Sequence, residues 1–406
     1  MAEYGYVEMP DAVPANSRKV SIVGIGESDY HDDYRAERAK AKGYQSPTYE
    51  ELGQRALERA LADAGMRPDA VDGLALSFTF GGPDPDILLP KTGLTPHDVW
   101  QNGHIMAGSL PAACGRIMRG EFDTIAMLFT VANRSSGRVF GGMTFASGMG
   151  GPSSYYYYHP WGWSSQAAHW AMMASRYLAK FGYSEEDLGT VPQQVRAHAA
   201  ATPQAVMQKR FSIEDYMASP YIVNPLHLFD LCLRNDGAVC LILTGSDRAR
   251  DCARPAIEVA GWGESYVKAD KLRTMIEDRL APQMRDAGKQ ALGMAGLSLD
   301  DVGHLEGYDA SSMHLVNHVE GLGFCASGEG IALCKDGGLT QGGRIPTNTA
   351  GGNMSGSYMQ GWSQIVEAVR QLRGEAGERQ IAGLNASLTC LAQTDAAHPL
   401  ILTRGN

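Results

Sequence analysis

The chain has 406 residues, which at about 100–200 residues per domain allows about two to four structural units and excludes a small single module. Hydrophobic residues make up 44% and charged residues 20% of the sequence, so a large core can be buried and a disordered chain is excluded. The 35 Lys and Arg residues against 45 Asp and Glu residues give a formal net charge of −10, which argues against nucleic acid as a partner.

The N-terminal segment and the cysteines bear on the cellular compartment. Residues 1–14 lack the basic stretch followed by an apolar stretch that marks a secretion signal, and no later run approaches the ~20 apolar residues of a membrane-spanning helix. The seven cysteines include no Cys-x-x-Cys pair and no Cys/His cluster at zinc spacing, which favours reduced, buried thiols. A cytoplasmic protein without a membrane partner is therefore expected.

The first half of the chain predicts a strand, a helix and a strand in succession. Residues 19–25 form a short apolar strand that runs into the turn Gly24-Ile25-Gly26-Glu27-Ser28. A helix with one apolar face is predicted over 51–64, and a second strand over 73–78. A glycine-rich loop and a helix over 111–118 follow. This order is typical of βαβ units.

The region between about residues 133 and 224 departs from this pattern. It contains many glycines, a helix predicted over 166–181, and the aromatic run Tyr155-Tyr156-Tyr157-Tyr158-His159-Pro160-Trp161-Gly162-Trp163. Long insertions of this kind are usually lids, binding loops or subunit contacts. The aromatic residues suit an apolar ligand or a partner surface, and burial in the core is an equally favoured alternative.

The last part of the chain repeats the pattern of the first. A strand over 257–262 ends in Gly261-Trp262-Gly263-Glu264-Ser265, which matches the turn after the first strand. A helix ending near Ala295, a strand over 304–308 and a helix over 362–372 follow. The repetition predicts two similar α/β halves, in which parallel strands are connected by right-handed crossovers. Chance similarity between α/β segments is the alternative explanation.

Polar and aromatic residues concentrate in two glycine-dense segments of the second half. The first is Glu306-Gly307-Tyr308-Asp309-Ala310, and the second runs from Asn348 to Gly361. Glycines there allow the backbone to approach a ligand closely, and the helix that follows has free N–H groups at its start. The chain has no Gly-x-Ser-x-Gly or phosphate-loop motif, and no complete dinucleotide fingerprint. We therefore expect the catalytic site in these two segments.

Several motifs, in this order, give the chain a resemblance to the thiolase superfamily, and specifically to the branch of sterol-carrier-protein thiolases and lipid-transfer proteins. They are Asn235-Asp236-Gly237-Ala238, Tyr308-Asp309, Gly323-Phe324-Cys325-Ala326-Ser327-Gly328-Glu329-Gly330, Pro346-Thr347-Asn348, Gly351-Gly352 and Gln371-Leu372-Arg373-Gly374-Glu375-Ala376-Gly377-Glu378-Arg379-Gln380. The resemblance implies the thiolase fold, a five-layered α-β-α-β-α core. It also implies two similar halves, 1–255 and 256–406, with a loop domain inserted in the first half at about 133–224.

The residues that thiolases use for acyl transfer are replaced in this chain. The family cysteine at the start of the first-half helix would fall near Gly103, where no thiol is found, and Cys114 lies about three helical turns further on as an expected packing residue. Tyr358 stands in place of the family's catalytic histidine. Tyr308 stands in place of the His or Asn that polarises the thioester oxygen. Acyl transfer through cysteine is therefore disfavoured.

Tyrosines at these two positions resemble the arrangement in steroid side-chain aldolases of the lipid-transfer-protein branch. The implied reaction is retro-aldol cleavage of a β-hydroxyacyl-CoA, in which a 17-hydroxysteroid side-chain thioester gives a ketosteroid and a short acyl-CoA. A base removes the β-hydroxyl proton, and hydrogen-bond donors stabilise the thioester enolate. Because the thioester accepts the electrons, no cofactor, metal or Schiff-base lysine is expected.

The candidate catalytic residues are Tyr308, Tyr358, His104 and Asp309. Tyr358 is expected to transfer the proton and Tyr308 to contact the oxyanion or hydroxyl, with the reverse assignment open. His104 and Asp309 are lesser candidates, because a histidine beside a missing nucleophile is commonly a loop residue and Asp309 is expected to position a neighbour. The alternative for the tyrosines is that they only fill space left by the lost catalytic residues.

The resemblance also implies a partner. This is a small DUF35 protein with an OB fold and a zinc-ribbon element, bound to a homodimer of this chain in a heterotetramer. Two other functions stay open: a thiolase-type acyltransferase with a relocated nucleophile among the seven cysteines, and a non-catalytic protein that binds acyl-CoA or lipid.

Overall fold

The structure is a computed structural model that describes residues 19–39, 43–78, 81–101, 106–137, 159–161, 163, 165–266, 280–393 and 396–405. Its α-helices are α1 (Tyr30–Arg38), α2 (Tyr49–Ala64), α3 (Pro85–Thr92), α4 (Met106–Met118), α5 (Gln166–Phe181), α6 (Glu185–Ala200), α7 (Ile213–Met217), α8 (Leu280–Ala295), α9 (Ser312–Gly321), α10 (Gly330–Lys335) and α11 (Trp362–Arg373). Its strands are β1 (Val20–Glu27), β2 (Gly73–Phe78), β3 (Asp98–Gln101), β4 (Thr124–Ala132), β5 (Tyr221–Val223), β6 (Leu226–His227), β7 (Asp236–Gly245), β8 (Ile257–Trp262), β9 (Ser265–Tyr266), β10 (Leu305–Gly307), β11 (Ala386–Gln393) and β12 (Ala396–Arg404).

Local sequence accounts for where several helices begin and end. Thr48 and Glu51 exchange hydrogen bonds at the start of α2, in which the Glu51 N–H donates to the Thr48 hydroxyl and the Thr48 N–H donates to the Glu51 carboxylate. Ser184 and Asp187 form the same reciprocal pair at the start of α6. Each pair satisfies two N–H groups that a helix start leaves without a partner. Gly65 ends α2 in the left-handed conformation, at φ +68°.

Within the described residues, ten strands form one sheet, in the order β10-β11-β12-β8-β1-β7-β4-β2-β3, with β9 paired to β12. Strands of the second half lie on one side of this order and strands of the first half on the other. The two sides meet at a short antiparallel contact between β1 and β8, where Ser21 pairs with Glu258 and Ile22 with Ile257. The two halves of the chain therefore contribute two half-sheets that join at one narrow seam.

The sheet is mixed, so the prediction of parallel strands is only partly right. β2 is parallel to β3 and β4, and β10 is parallel to β11. β7 is antiparallel to both β1 and β4, and β12 is antiparallel to both β11 and β8. A strand buried on both faces reads as a continuous apolar run whichever way it points, so the sequence pattern could not reveal these directions. The short connection between β11 and β12 allows only an antiparallel hairpin.

Helices cover both half-sheets and fill the space between them. α2 packs on the first-half strands β1, β4 and β7, and α8 packs on the second-half strands β8 and β12. α4 contacts β4 and β12, and α11 contacts β1 as well as β10, β11 and β12, so these two helices lie between the half-sheets. Layers of helix, sheet, helix, sheet and helix follow from these contacts. The predicted α/β class with five alternating layers is confirmed.

The repeated Gly-x-Gly turns have the same structural role in the two halves. A Cβ atom on Gly26 would lie 2.0 Å from the carbonyl oxygen of Ala56 in α2. A Cβ atom on Gly263 would lie 2.0 Å from the carbonyl oxygen of Ala287 in α8. Only glycine lets each helix backbone approach its strand this closely. The Gly-x-Gly pattern repeated in the two halves therefore reflects a repeated helix-on-strand contact and not a chance similarity.

The predicted inserted region holds α5, α6, α7 and β5, and the helix predicted over 166–181 is found as α5. Tyr155 to Tyr158 of the aromatic run lie outside the described residues. Trp161 is 84% exposed, and the Trp163 Nε1–H donates to His169 at 3.1 Å. The limits 1–255, 133–224 and 256–406 stay predictions. A search of the described helices for one long and apolar enough to cross a membrane finds none.

Candidate active site

Tyr308 follows the last residue of β10 and is held by the sheet. Its backbone N–H donates to the carbonyl oxygen of Cys390 in β11 at 2.9 Å, which extends the parallel pairing by one residue. The Asn348 side chain pairs with both backbone groups of Gly307, at 2.8 Å from the N–H and 2.9 Å from the carbonyl oxygen. Tyr308 is 3% exposed. The strand pairing and the Asn348 side-chain amide together fix the backbone position from which the Tyr308 side chain extends.

Tyr358 lies in a segment that we call the glycine loop (Asn348–Gly361), two residues after a tight turn. Residues Gly352–Gly356 form a π-helical turn, which Gly351 enters in the left-handed conformation at φ +95°. The N–H groups of Val206 and Met207 donate to carbonyl oxygens of this turn at 2.8 and 3.0 Å. Tyr358 is partly exposed, and its N–H donates to the Asn235 side-chain oxygen at 2.8 Å. The glycine loop is therefore held largely by groups from elsewhere in the chain.

The fold brings the two phenols together. A side-chain hydrogen bond between Tyr308 and Tyr358 raises the pKa of Tyr308 and lowers that of Tyr358. Gln360 Nε2 donates to the Tyr358 hydroxyl at 3.1 Å. Desolvation raises the pKa of Tyr358 to about 12 and that of Tyr308 well above its ordinary value. Tyr358 is thus the more acidic and the more exposed phenol, with Gln360 donating to its oxygen.

Asp309 faces the inside of the glycine loop. Its Oδ1 accepts from the Asn353 N–H at 2.7 Å, from Asn353 Nδ2 at 3.0 Å and from Gln364 Nε2 at 3.1 Å, and its Oδ2 accepts from the Met354 N–H at 3.3 Å. Complete burial raises the pKa of Asp309 to about 7, against the lowering effect of these hydrogen bonds. Asp309 therefore contacts the loop that carries Tyr358.

A buried ionic cluster lies beside the same loop. Glu367 of α11 pairs with Arg379 at 2.9 Å and accepts a hydrogen bond from the Thr349 hydroxyl at 2.8 Å. The Thr349 N–H donates to Glu306 of β10 at 2.9 Å. Burial raises the pKa of the Glu306 carboxyl. Through Thr349, the start of the glycine loop is anchored to both β10 and α11.

The other predicted residues have different outcomes. His104 and the neighbouring Gly103 lie outside the described residues. Cys114 is fully buried in α4, within the main apolar core, and desolvation raises its pKa. Cys114 thus packs, as expected from the sequence.

Sequence reasoning missed two residues beside the tyrosines. Cys232 is partly exposed and interacts electrostatically with both phenols, and burial raises the pKa of its thiol to about 12. The His314 ring meets the Tyr308 ring edge-on, with centroids 6.1 Å apart, and burial lowers the pKa of His314 to about 3. Neither residue stands in a motif that could have revealed it.

Asn235 and Gln360 could have been found from the sequence, because both stand in segments that the analysis quoted. Asn235 opens the Asn235-Asp236-Gly237-Ala238 motif, and Gln360 lies in the glycine loop. Among the described residues, a search for three or more His, Cys, Asp or Glu side chains arranged to hold a metal ion finds no such group.

Comparisons with known proteins show what the whole chain is similar to. A family model described as thiolase C-terminal domain-like matches residues 266–394. The 17-hydroxy-3-oxo-4-pregnene-20-carboxyl-CoA lyase of Mycobacterium tuberculosis is 33% identical over 375 residues, which cover 88% of this chain and 92% of that protein. The steroid side-chain-cleaving aldolase of Thermomonospora curvata is 32% identical over 342 residues, which cover 80% and 85%.

A solved structure gives the same result for the fold. The Ltp2-ChsH2(DUF35) aldolase superposes with a TM-score of 0.82 at 29% sequence identity. The match covers 96% of this chain and 99% of that chain.

Proposed function

The chain belongs to the thiolase-related family of steroid side-chain-cleaving aldolases, and we propose that it cleaves a β-hydroxyacyl-CoA by a retro-aldol reaction, giving a ketosteroid and a short acyl-CoA from a 17-hydroxysteroid side chain. The observation that carries the proposal is the hydrogen-bonded pair of phenols, Tyr308 and Tyr358, at the end of β10 and in the glycine loop. The names of the two relatives support the substrate class.

Tyr358 is the base of the proposed reaction. Its ionised oxygen accepts the proton of the substrate β-hydroxyl, the oxygen forms a C=O bond, and the bond between the α and β carbons breaks. The electron pair of that bond moves onto the thioester, which becomes an enolate. Tyr358 then returns the same proton to the α carbon, so that one proton has moved from oxygen to carbon and the enzyme is unchanged.

Tyr308 supports this cycle as a donor. Its hydrogen bond, together with that from Gln360, stabilises the ionised form of Tyr358 against the desolvation that raises the pKa of that phenol. The high pKa of Tyr308 keeps its one proton on the phenol, so that this O–H can turn from Tyr358 to the oxyanion once Tyr358 has taken the substrate proton. The proposed chemistry needs no separate cofactor because CoA belongs to the substrate and its thioester accepts the electrons.

We assign Asp309 a supporting role, since all its named hydrogen bonds hold the glycine loop or its neighbour Gln364. His104 stays a candidate from the sequence alone.

The first experiment tests the tyrosine pair. Tyr308→Phe and Tyr358→Phe are expected to lower kcat by about 10²–10⁴-fold while the Kd for the CoA ester stays within a few-fold, because only transition-state contacts are lost. The assay uses the protein co-expressed with a DUF35 protein, a 17-hydroxysteroid carboxyl-CoA, and mass analysis of both fragments. Tyr177→Phe is the control, since Tyr177 is as buried as Tyr308 but its hydroxyl donates to Glu320 instead. Full activity in both site variants would contradict the proposal.

The pH profile tests the assignment of the base. Because Tyr358 acts in its ionised form and its pKa lies at about 12, kcat/KM is expected to rise roughly tenfold per pH unit between about pH 7 and pH 9. Tyr358→Phe should lose this slope along with the activity. A flat profile with full activity would show that another group takes the proton.

Acyl transfer through a relocated cysteine is the second candidate, because Cys232 lies beside both phenols. The pKa of this thiol, about 12, is as high as that of Tyr358, so the ionised fraction does not separate the two candidates. If the aldolase proposal is right, Cys232→Ser keeps cleavage activity, and intact mass spectrometry shows no acyl adduct in the wild-type protein. An adduct on Cys232 would instead establish the acyltransferase. Tight binding of the CoA ester with no product would identify a binding protein.

We further propose that the chain works with a DUF35 protein that has an OB fold and a zinc-ribbon element, as a heterotetramer around a homodimer of this chain. The printed name of the superposed Ltp2-ChsH2(DUF35) aldolase supports this kind of partner. The cytoplasm is the proposed compartment, in line with seven free cysteines, which suit reducing conditions. Co-purification from co-expressing cells and the mass of the native complex test the assembly. A stable, fully active chain alone would contradict it.

A further inference from the structure

A four-residue segment of the first half, Cys232–Asn235, runs between the two tyrosine-bearing segments of the second half. Its Cys232 N–H donates to the carbonyl oxygen of Ala310, two residues after Tyr308, at 3.0 Å. Its Leu233 N–H donates to the carbonyl oxygen of Asn353 in the glycine loop at 2.8 Å. The segment then continues directly into β7. It therefore has fixed contacts with the strand end and with the loop at once.

Asn235 makes the contact nearest to Tyr358. Its side chain is fully buried. The side-chain oxygen accepts the Tyr358 N–H at 2.8 Å, and Nδ2 donates to the Ser357 hydroxyl at 3.0 Å and to the Asp236 carbonyl oxygen at 3.0 Å. One amide thus binds two consecutive residues of the loop and its own strand.

We propose that Asn235 is a positioning residue of the proposed aldolase site: its side-chain amide holds Ser357 and Tyr358 so that the Tyr358 hydroxyl stays within hydrogen-bonding reach of Tyr308. The inference rests on the proposed function for its effect on catalysis. Asn235 does not take part in the chemistry itself, because its polar atoms are engaged with the protein and its side chain has no access to substrate.

The kinetic test compares substitutions that remove different parts of the amide. Asn235→Ala removes all three hydrogen bonds of the side chain and is expected to lower kcat by about 100-fold while KM stays within about twofold, because a shift of about 1 Å in a catalytic group costs this much. Asn235→Asp keeps the oxygen that accepts the Tyr358 N–H, so its loss in kcat should be only about tenfold. The graded order of wild type, Asp and Ala separates positioning from a general loss of stability. If the Ala variant fails to fold, the Asp variant still has to show the smaller loss in kcat at unchanged KM.

Thr244→Val is the matched control. Thr244 is fully buried on the same strand, and its hydroxyl donates to the Asp123 carbonyl oxygen at 2.8 Å. It lies nine residues further along β7, roughly 30 Å from Asn235 at the rise of an extended strand. The substitution removes a buried hydrogen bond and keeps the shape of the side chain. A melting temperature lowered as much as in Asn235→Ala, with kcat unchanged, is the expected result.

A second readout does not depend on catalysis. With 3-fluorotyrosine placed at position 358, the ¹⁹F resonance reports the surroundings of that phenol in the intact protein. The resonance is expected to shift in Asn235→Ala and to stay in place in Thr244→Val. An unchanged resonance, or a kcat loss no greater than that of Thr244→Val, would overturn the positioning role. If the wild-type protein cleaves no β-hydroxyacyl-CoA, the proposed function fails, and the ¹⁹F shift still decides whether Asn235 positions Tyr358.

Discussion

The strand end that carries Tyr308 and the glycine loop that carries Tyr358 bring their phenols together by different means. Tyr308 continues the hydrogen-bond ladder of β10 and β11, so the backbone itself determines its place. Tyr358 follows a π-helical turn, and its N–H is bound by a side chain from the first half of the chain. A pair of strands is stabilised by a regular series of backbone hydrogen bonds, whereas a loop of this kind depends on a few individual contacts.

The two segments are also expected to respond to pH in opposite directions, because burial disfavours the charged form of a base in one and of an acid in the other. His314 beside Tyr308 and His318 beside Gly307 are both buried, and burial lowers their pKa values to about 3 and about 4. Asp309, which holds the glycine loop, has its pKa raised to about 7 by burial. The strand end should therefore be weakened by acid, and the loop by rising pH. The proposed catalytic pair therefore depends on two supports that can be disturbed independently.

The largest effect is expected from closing the space inside the glycine loop. A Cβ atom on Gly352 would lie 2.3 Å from Asp309 Oδ2 and 2.6 Å from Asn348 Nδ2, at a φ of +51°. Gly352→Ala should therefore lower the free energy of unfolding by about 4 kcal/mol, since both the clash and the left-handed backbone oppose it. Thermal denaturation measures the loss.

Gly374→Ala is the control for this prediction. Gly374 ends α11 at a φ of +81°, with no atom within 4 Å of a Cβ. Only the strain of a left-handed alanine backbone then opposes the substitution, and the free energy of unfolding should fall by about 1 kcal/mol. Equal losses in the two variants would mean that the glycine loop is not packed as closely as the structure indicates.

Asp309→Asn tests how the support of the glycine loop by Asp309 changes with pH. The folded pKa of about 7 lies above the ordinary value of ~3.9, so the folded state binds more protons than the unfolded state between these values. The stabilising contribution of Asp309 is complete below about pH 4 and is lost as the pH rises to about 7. The stability of the wild type relative to Asp309→Asn should thus fall by on the order of 3 kcal/mol over this range. Denaturant unfolding at a series of pH values measures the free energy of unfolding of both proteins. A wild type that gains stability relative to Asp309→Asn as the pH rises would refute the raised pKa of Asp309.

His314→Gln tests the strand end that carries Tyr308, where stability is expected to fall with decreasing pH instead of increasing pH. The pKa of His314 is lowered to about 3, from an ordinary value of ~6.5, so the unfolded state binds more protons between these values. Stability is complete above about pH 6.5 and is lost as the pH falls. The variant lacks this titration, so its stability relative to the wild type should increase by about 2 kcal/mol between about pH 7 and pH 5. If the difference in unfolding free energy between the variant and the wild type does not change with pH, His314 is not kept neutral by the fold.

The smallest effect is expected at Ser357. Ser357→Ala removes the hydroxyl that accepts from Asn235 Nδ2, but this group keeps its bond to the Asp236 carbonyl oxygen, and the Asn235 oxygen keeps the Tyr358 N–H. We expect a loss of about 1 kcal/mol in unfolding free energy and a kcat within about threefold of the wild type. A fall in kcat as large as that of Asn235→Ala would move the positioning role from the amide oxygen to the serine.

Much of the site could be read from the sequence, because its signals are local. The two glycine-dense segments and the tyrosines in them were visible as residues, and the repeated Gly-x-Gly turns showed the doubled helix-on-strand unit. The strand directions were not visible, since a buried strand has the same apolar pattern in either direction. Nor were Cys232 and His314, which stand in no motif and gain their place beside the tyrosines only when the chain is folded.

The sequence by itself therefore determined the order of elements, the doubling of the chain and the two tyrosines in its glycine-dense segments, because periodicity, turn residues and residue identity are properties of neighbours along the chain. Only the tertiary structure decided that Asn235 holds Tyr358 across 123 residues, and that Asp309 and His314 are perturbed in opposite directions. Hydrogen bonds between distant segments and the desolvation of a buried group depend on how the layers pack, and a linear pattern does not contain that packing.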